Sequence, residues 1–69
     1  MRALVLVHAE TRNVSVRDLF RAAYMERFGK DIPAASLDTD VETFHKKGDT
    51  PPYVIGYFLR LIGGKTERR

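Results

Sequence analysis

Residues 53–62, Tyr-Val-Ile-Gly-Tyr-Phe-Leu-Arg-Leu-Ile, are apolar nearly all the way round a helical wheel and stand between Thr50-Pro51-Pro52 and Gly63-Gly64. A helix that is hydrophobic on every side is normally enclosed by protein. A chain of 69 residues hides only about 60% of the surface it exposes when unfolded, so it has little protein with which to enclose one. The segment is therefore either a central core helix, or a helix with one side on the core and another on a partner. Val54, Ile55, Phe58, Leu59, Leu61 and Ile62 supply the apolar surface, and Tyr53, Gly56, Tyr57 and Arg60 form the remaining face. Tyr and Arg are enriched at binding hot spots, and a glycine admits a close neighbour. Tyr53, Gly56, Tyr57 and Arg60 are accordingly the candidate protein interface.

The flanks set the ends of this helix. Thr50 reads as its N-cap and Pro51 as its first residue, where the missing N–H costs nothing. Gly63 reads as its stop, which gives a helix over residues 51–62. Below roughly 70 to 80 residues a natural scaffold usually needs disulfides, a metal, oligomerisation or very good helix packing. There is no cysteine, which removes disulfides and thiolate zinc sites. Self-association or tight helical packing remains, and the partner expected is a second copy in a homodimer or another protein; no cofactor and no small-molecule substrate is expected.

At the other end, residues 3–7 form a continuous leucine- and valine-rich run of strand length. A lone strand leaves its backbone unpaired. Residues 13–17, where Val14 and Val16 alternate with polar side chains after a turn at Glu10-Thr11-Arg12, offer a hairpin partner, and a second copy across a dimer axis offers another. The same residues carry a helix-start signal: Ser15 and Asp18 fit a capping box, with Val14 and Leu19 as a hydrophobic staple. Leu19, Phe20, Ala23, Tyr24 and Phe28 then recur at helical spacing up to Gly29, which predicts a helix over residues 16–28.

After the loop Lys30-Asp31-Ile32-Pro33, Thr39 with Glu42 makes another capping box, and Leu37, Val41 and Phe44 form one apolar face. This predicts a short helix that Gly48 stops. The fold expected is α+β: an N-terminal strand followed by three helices, in one domain over residues 1–64 with a basic flexible tail over 65–69.

Twelve Lys and Arg against nine Asp and Glu give a formal charge of +3, a moderate bias toward acidic partners. Nucleic acid is thus the second candidate partner, through Arg17 and Arg21 one turn apart, Lys46, Lys47, and Lys65, Arg68 and Arg69 of the tail. Asn13 to Ala23 resembles the second helix of ribbon-helix-helix DNA-binding repressors, although that family places a whole helix between its strand and this segment. Val16 to Pro33 is similar to part of a small winged-helix RNA-binding domain, but no glycine-rich wing follows. Each likeness spans under a third of the chain.

Catalytic and ligand motifs are weak. Gly63-Gly64-Lys65-Thr66 ends like a phosphate-binding loop, but position 59 is leucine where the first glycine belongs. His8 and Glu10 would share a strand face and, with His45, could begin a metal site, yet a strand-end histidine is the simpler reading. Asp38, Asp40 and Glu42 suit the positive end of a helix without further purpose. No nucleophile–base pair stands out, so an enzyme is not expected. The N-terminal run breaks at His8 and Glu10, short for a secretory leader, and no stretch approaches the ~20 apolar residues of a membrane span. A cytoplasmic protein is expected.

Overall fold

A computed structural model describes the backbone of residues 2–67 and the side chains of residues 2–61. It contains the helices α1 (Arg2–Thr11), α2 (Val16–Phe28), α3 (Ala34–Lys47) and α4 (Pro52–Glu67), and no strand among the described residues. The chain is all-α, which corrects the α+β expectation.

Residues 3–7 lie in α1, not in a strand. Only Val5 and Val7 there are β-branched; Ala3, Leu4, Leu6 and Ala9 are strong helix formers. A helix also satisfies its own backbone, whereas a single strand cannot. The hairpin partner is lost for a related reason. Asn13 adopts the left-handed conformation at φ 57°, the Asn13 N–H donates to the Glu10 carbonyl and the Val14 N–H to the Ala9 carbonyl. This pair of bonds is a Schellman stop, so residues 13–15 end one helix and begin the next. With no strand present, neither the ribbon of a ribbon-helix-helix repressor nor pairing across a dimer axis can form from residues 3–7.

α2 starts and ends as its sequence predicts. The Ser15 hydroxyl accepts from the Asp18 N–H at 3.0 Å, and Gly29 closes the helix at φ 74° with its N–H on the Met25 carbonyl. α3 ends at Gly48, φ 76°, also as expected, but it begins five residues before the Thr39 box. Pro33 occupies the N-cap position without any side-chain cap, and Ala34 and Ala35 carry the helix backwards on propensity. Thr39 and Glu42 are therefore mid-helix.

α4 is displaced by one residue at its start. The Pro51 carbonyl accepts from the Val54 and Ile55 N–H groups, which makes Pro52 the first helical residue and leaves the Thr50 hydroxyl buried without a partner. At the other end the helix continues through Gly63 and Gly64. Two consecutive glycines lower helix propensity without forbidding the helix.

The core is built around Phe20, Phe44, Phe58, Val5 and Val54, one or more from each helix and all essentially inaccessible. Phe20 and Phe44 meet edge to face at 5.4 Å, the arrangement aromatic quadrupoles favour. α2 is the central element, packing on α4, α3 and α1. Leu37 and Phe44 hold α3 against it, with Val41 at the edge of the cluster. Arg2 ties the start of α1 to the end of α3 by donating to the His45 carbonyl, a favourable place for a cation next to a helix C-terminus.

Candidate protein-interaction site

Of the four residues proposed as an interface, three make contacts within the chain. The Tyr53 hydroxyl on α4 donates to Asp40 on α3 at 2.5 Å, and its ring stands edge-on to Tyr24 at 5.2 Å and to Phe20 at 6.3 Å. Burial, reinforced by the carboxylate acceptor, raises the phenol pKa; a buried anion beside Asp40 is unfavourable. Arg60 pairs with Glu26 of α2 at 2.7 Å, both side chains about half exposed. Tyr57 packs edge to face on Phe58 at 5.6 Å and near His8 at 6.2 Å. These three side chains connect α4 to its neighbours.

Gly56 differs. A Cβ added there would meet only the Arg60 Nη1, at 3.9 Å, so no other helix of the chain approaches it closely.

Exposed apolar side chains remain on α4 and α1, and also at Val14, Met25 and Phe28; those of α4, Leu59 and Leu61, are two residues apart and do not share a face. Val54 and Phe58 are buried, whereas Leu59 is 62% exposed and Leu61 44% exposed. On α1 only Val5 and Ala9 are buried, and Leu4, Leu6 and Val7 are all exposed. The two helices are neighbours, joined where the His8 ring meets Phe58 at 4.8 Å. Leu4 is one turn before His8 and so shares that side of α1. The uncovered α1 surface was illegible in a sequence expectation that made residues 3–7 a strand; the signal was present in Asn13, a left-handed stop followed by the apolar Val14.

The basic set is dispersed. Arg17 pairs with Asp38 at 2.6 Å and Lys46 with Glu42 at 2.9 Å, while Lys47 is exposed at the end of α3. Arg21 lines a shallow, open depression of about 290 Å³ with Arg17, Asp31, Ile32, Ala34 and Leu37, where carboxylate and guanidinium groups are mixed. The side chain of Lys65, and Arg68 and Arg69 entirely, lie outside the described residues. The acidic trio is likewise distributed: Asp38 to Arg17, Asp40 to Tyr53, Glu42 to Lys46.

A second open depression of about 300 Å³ lies between α3 and the start of α4, lined by Asp40, Thr43, Asp49, Thr50, Pro51, Pro52 and Tyr53. Of the hydroxyls lining it, that of Tyr53 donates to Asp40. His8 and Glu10 are two apart on a helix and do not share a face, and no group of three or more potential ligands could hold a metal among the described residues.

No family model matches the chain, and comparisons with curated proteins and with solved structures find no match. No described helix is long and apolar enough to cross a membrane.

Proposed function

We propose that this is a small non-enzymatic binding domain, a regulator or adaptor of the cytoplasm, that pairs with a second copy of itself through α4 and the adjoining flank of α1. The observation behind this is the exposure of Leu59, with Leu4, Leu6 and Val7, on helices whose other sides already pack on the core. Surface leucines scattered singly need no explanation; here several stand on two neighbouring helices. A second copy is the favoured occupant because a two-fold interface needs only a self-complementary patch, and because a scaffold this small gains stability by oligomerising. Gly56 lies one turn before Leu59, and a Cβ there would meet only the Arg60 guanidinium at 3.9 Å, leaving room for a close approach.

Each chain carries a formal +3, so two copies repel at low ionic strength. Added salt screens that repulsion and should strengthen the dimer. Binding to nucleic acid through Arg17, Arg21, Lys46, Lys47 and the C-terminal bases would respond in the opposite sense, weakening steeply with salt.

The test is solution mass by light scattering across a concentration series at low and high salt. A dimer that strengthens with salt and becomes monomeric in Leu59→Glu, without change in monomer stability, is expected. A wild-type chain that stays monomeric to several hundred micromolar would refute the reading. A salt-weakened complex with a short mixed-sequence duplex would transfer the function to the basic residues.

A further inference from the structure

His8 occupies the junction of α1 and α4. Its ring stands edge to face with Phe58 at 4.8 Å and with Tyr57 at 6.2 Å, and its Nε2 is out of reach of solvent with no hydrogen-bond partner. Neutral imidazole tolerates this position, because one of its two ring nitrogens carries no proton. Imidazolium carries a proton on both, so Nε2–H would be a buried donor without an acceptor. Partial burial of the ring disfavours the charge itself.

Two features could offset that cost, and neither is sufficient. The aromatic faces attract a cation weakly. A carboxylate would do more, but among the described residues none lies within ion-pairing distance of the ring. The charged neighbour is Arg12, four residues on and just past the end of α1, and the titratable group on the α4 side is the Tyr57 hydroxyl. Burial first, and Arg12 second, hold the His8 pKa below its ordinary 6.5.

α1 is also the helix least embedded in the domain. It contributes only Val5 and Ala9 to the core and shares less contact with α2 than α3 or α4 does. Elements of this kind open locally at lower free energy than the global fold. We propose that His8 makes α1 a proton-sensitive latch: protonation of the imidazole releases α1 from α4 while α2, α3 and α4 remain assembled around Phe20, Phe44 and Val54. Release would uncover Phe58, the ring on which His8 packs. The inference rests on the His8 contacts and not on the dimer.

The sign follows from linkage. A docked His8 binds protons less readily than a released one, so docking is strongest above about pH 6.5 and weakens as pH falls toward the depressed docked value. Within that window one proton is taken up on release, and the docking constant falls by up to about tenfold per pH unit.

The experiment uses the full chain carrying His45→Gln, which leaves His8 as its only histidine, alongside the unaltered sequence. Histidine ring resonances and amide hydrogen exchange are followed by NMR from pH 8 to pH 5, with exchange expressed as protection factors. The expected result is a His8 midpoint below about 6.5 and α1 protection that falls relative to α2 as pH drops, by up to tenfold per unit. His8→Phe, which keeps a flat ring in the same niche, should flatten that dependence. A His8 midpoint at or above about 6.5, or protection of α1 and α2 falling in parallel, would overturn the proposal. Both readings are taken on the unaltered sequence as well, so the decision does not depend on the variant folding.

Discussion

Gly56→Ala separates what the domain needs for folding from what it needs for association. Gly56 is in the interior of α4 with an ordinary helical backbone, and glycine in such a position costs roughly 0.5–1 kcal/mol relative to alanine. The added methyl would touch only the Arg60 guanidinium, at 3.9 Å, which is ordinary van der Waals contact with the mobile end of a side chain. No clash opposes the gain in helix propensity. The isolated domain should therefore be stabilised by about 0.5–1 kcal/mol, which for a domain of this size raises Tm by roughly 2–8 °C. Thermal melts by far-UV circular dichroism at low micromolar concentration, which disfavours association, read this term. Light scattering at high concentration reads the other, since in the proposed dimer a methyl at a close helix contact between copies would weaken association. A lower Tm in the monomer would refute the reasoning, because it would mean that another part of the chain approaches Gly56 more closely than the structure allows.

Two further substitutions test the core and the start of α4. Thr50→Val removes a buried hydroxyl that has no partner; an unmatched buried polar group costs about 1–3 kcal/mol, so urea denaturation should show unchanged or increased stability. A cap residue at that position would instead lose about 1 kcal/mol. Phe44→Ala deletes a ring with no exposure and its edge contact with Phe20, a loss of about 3–5 kcal/mol. Against a total of roughly 3.5–10 kcal/mol for a chain of this length, that should leave much of the population unfolded at 37 °C, visible as lost helical ellipticity; a cooperative melt near the wild-type temperature would contradict the placement of Phe44.

The candidate site was legible in part. The sequence pointed to α4 as the helix with more apolar surface than one core face can use, and the exposure of Leu59 agrees with that surplus. It did not reveal which flank would be covered. Tyr53 and Arg60 look free on a helical wheel, but their partners Asp40 and Glu26 are 13 and 34 residues away, a separation no local pattern encodes. Further exposed apolar side chains, Leu4, Leu6 and Val7, stand on α1, where residues 3–7 read as a strand in sequence.

Local chemistry alone determined the boundaries that depend on neighbouring residues: the Ser15 hydroxyl on the Asp18 N–H, the left-handed glycines at 29 and 48, and the Leu37, Val41 and Phe44 stripe. Each is settled by bonds or spacing within a turn or two, so the sequence displays it directly. Tertiary structure decided the rest. A five-residue apolar run has too little length to distinguish period 2 from period 3.6, and residues 3–7 became a helix because Val5 and Ala9 could be buried against α2 while no second strand existed to pair with them. α3 reached back to Ala34, past its apparent cap, and Arg17 of α2 came to pair with Asp38 there. Which sides of α1 and α4 stayed bare was settled last, by how the four helices packed, because burial belongs to the assembled set and not to any helix by itself.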